Sequence, residues 1–121
     1  MKNRPLYARM GYALAGLRAA LRTEASIRTE ALVLVVWIAV LCWLQPAAVW
    51  WALSIGSLAL IIAVELLNSA LEAVIDRLHP EQHPAIGMAK DMAAGAVFLS
   101  VLAGLVVGAL TVWSVLPLPR G

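Results

Sequence analysis

Three uncharged stretches dominate this sequence: Ala31–Leu44 with 14 residues, Ala47–Val64 with 18 and Met92–Pro119 with 28. A bilayer core about 30 Å thick takes about 20 helical residues to cross. The third stretch spans unaided. The second spans if it runs on past Glu65, and the first if it recruits Ser26–Thr29 or the Ala47–Trp51 side. The expectation is an all-α membrane protein with transmembrane helices near 29–47, 49–69 and 94–115. Composition agrees: of 121 residues 63% are hydrophobic and 13% charged, against about 45–50% and about 25% in soluble domains. So short a chain has too little interior to hide that much apolar surface from water. The net charge is +2, and charges this sparse argue against nucleic acid as a partner. The single cysteine, Cys42, leaves no intrachain disulfide and no Cys-based metal site. The first long apolar run begins at Ala31, too late for a secretory signal, so the whole chain is expected to be mature.

Gln45-Pro46 separates the first two stretches, and Pro46 lacks the N–H that would continue a helix. A tight antiparallel hairpin is therefore expected. Trp43, Trp50 and Trp51 flank the turn and place it at a membrane interface, with Trp113 reaching the same level. Eight of the nine Lys and Arg (Lys2, Arg4, Arg9, Arg18, Arg22, Arg28, Arg77 and Lys90, but not Arg120) fall on the opposite side. The positive-inside rule makes that side cytoplasmic. The N-terminus and a 76–91 connection are then inside, and the C-terminus outside. Before the first span, Leu6, Met10, Ala13, Leu14, Leu17 and Leu21 share one helical face bordered by Arg9, Arg18 and Arg22. Residues 6–25 thus read as an amphipathic surface helix with snorkelling arginines. Ser100, Gly104 and Gly108 recur every four residues on the third span, which predicts close helix packing.

The chemistry concentrates where the second span ends. Glu65, Asn68, Ser69, Glu72 and Asp76 fall within roughly 100° of helical arc, while the residues between them stay apolar. A membrane carboxylate costs about 2.5–3.5 kcal/mol at the bilayer centre and is a functional candidate by default. At the lipid boundary Glu65 is placed to act as general base toward a lipid hydroxyl. The plainer readings are an interfacial residue snorkelling to water or a partner for Arg28 across the bundle. Glu72 could hold Mg²⁺, which takes one or two carboxylates plus substrate phosphates. Glu24 or Glu30, at the same level, could add an oxygen. Lys90-Asp91 opens the third span there, and Lys90 could neutralise phosphate charge. Asp76 reads either as part of this cluster or as a solvated helix end paired with Lys90. No P-loop or H-E-x-x-H occurs, and Pro80 spoils a helical zinc pair from His79 and His83.

At these residues the sequence resembles the prokaryotic diacylglycerol kinase family. The resemblance runs through Glu65-Leu-Leu-Asn68-Ser69-Ala-Leu-Glu72-Ala-Val-Ile-Asp76-Arg77, Gly87 and Ala89-Lys90-Asp91. A second block holds Gly11-Tyr12, Gly16-Leu17-Arg18 and Glu24-Ala25. It implies a homotrimeric inner-membrane enzyme with sites shared between subunits, transferring the γ-phosphoryl of MgATP to diacylglycerol. It puts the catalytic base on Glu65 and the metal on Glu24 and Glu72. Nucleotide contacts fall on Tyr12, Glu24, Glu72, Glu81, Gln82, His83, Lys90 and Asp91. Lipid contacts fall on Arg9, Arg18, Ser26, Glu30, Glu65 and Asn68. One departure is Pro5, which stands where the family has an arginine, with Arg4 adjacent. Independently, three spanning helices enclose little volume, which also favours sites between subunits. The alternatives are an undecaprenol kinase, a small proton-coupled transporter and a non-catalytic assembly subunit.

Overall fold

The computed structural model describes residues 2–117 and is helical throughout: α1 Leu6–Thr23, α2 Ala25–Leu44, α3 Ala48–Leu78 and α4 Pro84–Val115. No strand occurs among the described residues. Arg120 and Pro119 lie outside them. The last three helices are each long and apolar enough to cross a membrane, as a multi-pass protein requires. At 1.5 Å per residue α3 and α4 are roughly 46 and 48 Å long, well beyond a hydrocarbon core of ~30 Å. Their joined ends therefore continue past it. The uncharged part of α4 starts only after Lys90-Asp91.

The corner between α1 and α2 is a single extended residue. Glu24, at φ −110° and ψ 112°, ends one helix and opens the next. The expected surface helix over 6–25 accordingly stops at Thr23, and α2 begins at Ala25 instead of near residue 29. Arg28 closes this corner. Its Nη1 donates to the carbonyls of Leu21 at 3.1 Å and Arg22 at 3.0 Å. These are orphan carbonyls of a helix end, which a cation satisfies well. Arg28 is thus spoken for by backbone, not by a carboxylate across the bundle.

At the far end of α2, Gln45 takes the left-handed conformation (φ 52°) and its amide donates to the Cys42 carbonyl at 2.6 Å. Pro46 follows and is buried. The hairpin falls where Gln45-Pro46 predicts it. The 76–91 connection is shorter than expected, because helix claims both of its ends. Asp76-Arg77-Leu78 continue α3, and only 79–83 lies between the helices. Pro84 starts α4 with its φ already helical, and His83 caps it, Nδ1 accepting from the Ala85 N–H at 3.1 Å.

α3 packs most extensively on α4 and next on α2, while α1 touches only the start of the bundle. The fully buried side chains are few, namely Ile27, Leu41, Thr111 and Ser54, and large apolar residues cover the outside. Hydroxyls in the spans are mostly returned to their own helix. Ser57 donates to Ser54 O, Ser100 to Val97 O and Thr111 to Val107 O. The small-residue stripe works at two places. A Cβ on Gly104 would stand 2.8 Å from Ile61 Cδ1 on α3, and one on Gly108 would meet only the Trp37 ring at 4.0 Å. Gly104→Val is expected to destabilise the bundle by about 1–3 kcal/mol. Gly95→Val, with nothing within 4 Å, should cost far less. Denaturant unfolding in micelles distinguishes the two.

Candidate active site

Glu65 sits on the α3 face that meets α2 and is 9% exposed. Its Oε1 accepts from Ser26 Oγ at 2.8 Å, a bond joining residues 39 apart in sequence. An ionised carboxylate in so dry a place needs donors, and α2 supplies one. One turn further along α2 stands Glu30, close enough to Glu65 for the two carboxyls to interact electrostatically. Its Oε2 is buried with no hydrogen-bond partner, as is Oδ1 of Asn68 one turn beyond Glu65. Ser26, Glu30 and Glu65 therefore form one polar knot between two apolar helices, with Asn68 following on α3.

A second polar region lies along α3 towards its end. Lys90 Nζ donates to Asp76 Oδ1 at 2.6 Å across the α3–α4 junction. That hydrogen bond holds the lysine above its usual range, with the charges of Asp76 and Glu72 adding to it, so the ammonium keeps its charge at neutral pH. A cavity of about 610 Å³ opens here, lined by Asp76, His79, Glu81, Gln82, His83 and Lys90 among others. The His79 and His83 rings meet edge to face at 6.2 Å, and His79 Nδ1 lies 2.9 Å from the Glu81 carbonyl. The region presents one lysine paired with Asp76, the two histidine rings, the Gln82 amide and the carboxylates of Asp76 and Glu81.

The structure thus gathers Ser26, Glu30, Glu65 and Asn68 at one place, and Glu81, Gln82, His83 and Lys90 at another. Glu72 links them, one turn before Asp76 and near enough to Lys90 to act on its charge. Tyr12, Arg9 and Arg18 are exposed on α1, Asp91 is exposed on α4, and Glu24 forms the α1–α2 corner. No three His, Cys, Asp or Glu side chains converge as a metal cage among the described residues. Glu24 and Glu72 offer hard oxygen donors, and Glu72 is exposed. Each is a single oxygen donor of the kind magnesium takes alongside phosphate and water. The sequence pointed to no role for His79 on the cavity wall, for the helix cap from His83, or for Ser54, buried in the span without a partner. The HPEQHP run was the only signal for the first two.

Comparison with known proteins covers the same stretch of the chain. The prokaryotic diacylglycerol kinase family matches residues 11–112, which takes in both polar regions and the spans between them. The chain belongs to that family. It is accordingly a lipid kinase. It is 39% identical over 104 residues to a diacylglycerol kinase of Escherichia coli (strain K12), covering 86% of this chain and 85% of the relative. It is 45% identical over 91 residues to one of Pseudomonas aeruginosa, with 75% and 74% covered. A diacylglycerol kinase of Haemophilus influenzae is 36% identical over 98 residues, with 80% and 83% covered.

Proposed function

We propose that this lipid kinase transfers the γ-phosphoryl group of MgATP to the free hydroxyl of diacylglycerol, giving phosphatidic acid in the bacterial inner membrane. The observation carrying the reading is Glu65: a carboxylate at the edge of an apolar bundle, held by Ser26, on the same helix as the wall of a lysine-bearing polar cavity. The lipid approaches sideways through the bilayer, and its hydroxyl meets Glu65, with Glu30 and Asn68 nearby. The nucleotide approaches from the cytoplasm into the cavity of Glu81, Gln82, His83 and Lys90, with Tyr12 and Asp91 as further contacts. Arg9 and Arg18 on α1 meet lipid headgroups.

In the reaction the acceptor oxygen forms a bond to the γ-phosphorus as the bond to the β-γ bridging oxygen breaks, and ADP leaves. Glu65 takes the hydroxyl proton. Ser26 keeps its carboxylate oriented, and Lys90 offsets charge on the phosphates. Glu24 and Glu72 would hold magnesium, which would supply neutralisation of phosphate charge. Positioning and electrostatics carry such a transfer, with little covalent work asked of the protein. The exposed apolar faces and sparse interior support assembly as a homotrimer with sites completed between subunits.

Radiolabelled ATP offered with diacylglycerol and undecaprenol in parallel tests the reading. Labelled phosphatidic acid is expected. Label on undecaprenol alone would move the chain to polyprenol phosphorylation, and no labelled lipid with either acceptor would overturn the kinase mechanism. Glu72→Gln is expected to raise the Mg²⁺ concentration needed for half-maximal rate by about tenfold or more, as losing a carboxylate ligand should. An unaltered Mg²⁺ titration removes Glu72 from the metal.

A further inference from the structure

A cavity of about 790 Å³ lies among α2, α3 and α4, within the ~300–1,000 Å³ range of small-molecule sites. Its walls include Val33 and Trp37 of α2, Ile61 of α3, and Val101, Gly104 and Gly108 of α4. Glu30 stands on its lining beside Glu65, so the cavity opens onto the polar knot already described. Ser54 also lines it, 11 residues from Glu65, or roughly 16 Å further along α3 into the spanning bundle. Ser54 is 1% exposed, and its hydroxyl has no partner. Ser57, Ser100 and Thr111, by contrast, each bond back to their own helix.

We propose that this cavity seats one hydrocarbon chain of the lipid acceptor, and that Gly108 and Trp37 set the chain length it takes. The identity of the acceptor rests on the kinase reading. The occupant follows from continuity: an amphiphile whose hydroxyl meets Glu65 beside Glu30 has its apolar part directed into the apolar recess that Glu30 itself borders. Gly108 keeps the recess open, since a Cβ there finds nothing nearer than the Trp37 ring at 4.0 Å.

The test compares kcat/KM for dioleoylglycerol and dihexanoylglycerol in the parent and in Gly108→Leu and Gly108→Ala. Gly108→Leu should lower the long-to-short ratio by about tenfold or more, and the alanine variant by less, as expected for methylenes displaced from an apolar pocket. An unchanged ratio, or equal loss for both acceptors with a shift in oligomeric state, overturns the proposal; the second outcome makes the recess a seat for a helix of another copy. A measurement independent of turnover uses a variant keeping Trp37 as its sole tryptophan, in vesicles of unbrominated phosphatidylcholine doped with dibrominated diacylglycerol. Trp37 fluorescence should be quenched saturably at low mole fraction, and Gly108→Leu should abolish the saturation. Quenching that only rises in proportion to dose, as for a sole Trp43, which is 82% exposed, overturns it. If the parent phosphorylates neither acceptor yet shows saturable quenching, the kinase reading fails and the chain site stands.

Discussion

Glu65→Gln is expected to lower turnover by about 10²–10⁴-fold, the usual loss when a positioned general base is removed. The amide keeps the size of the carboxylate and can still accept from Ser26 Oγ, so the α2–α3 contact survives. What disappears is the ability to receive a proton from the acceptor hydroxyl. The fall should lie in kcat, with little change in KM for either substrate, because the hydroxyl can still be held by hydrogen bonding. Initial rates in mixed micelles with both substrates saturating measure it. Unchanged rates remove Glu65 from proton transfer. Ser26→Ala gives the companion result: a smaller loss, since the carboxylate remains but loses the donor that aims it.

Lys90→Met should cost about 10²–10³-fold in kcat/KM for ATP, comparable to deleting one preorganised charge stabiliser of a transition state. The side chain retains most of its apolar length, so the loss reports the ammonium. Lys90 also joins α3 to α4 through Asp76 at 2.6 Å, so a structural explanation has to be separated. Asp76→Asn does this. If the pair only ties the helices, Lys90→Met should lose more stability than Asp76→Asn, which keeps an acceptor for Nζ, and neither should change nucleotide kinetics selectively. If Lys90 acts on phosphate, Lys90→Met loses far more than Asp76→Asn, and KM for ATP rises while KM for the lipid does not.

Much of this molecule is legible in its sequence, because in lipid each charged residue is an exception that needs a reason. The uncharged runs mark α2, α3 and α4, and Gln45-Pro46 fixes the hairpin through a missing N–H. Glu65 stands out because leucine would serve packing there equally well. Other features depend on contacts that periodicity does not carry. Nothing local says that Arg28 reaches back to Leu21 and Arg22 instead of across to a carboxylate. The 79–83 link is shorter than its polar composition suggests, because His83 and Pro84 together start a helix that a stretch so rich in loop residues hides. The recess at Gly108 is a property of three helices at once. A four-residue spacing shows that glycine is present, and only the packed bundle shows that Gly104 is filled by Ile61 while Gly108 is left open.

The Arg28 corner has a mechanical consequence. With its guanidinium fastened to two carbonyls at the end of α1, and its own backbone in the first turns of α2, the two helices form a braced elbow that resists bending at Glu24. Ser26 lies inside the brace. The same turn of α2 that Arg28 ties to α1 thus also carries the hydroxyl bonded to Glu65.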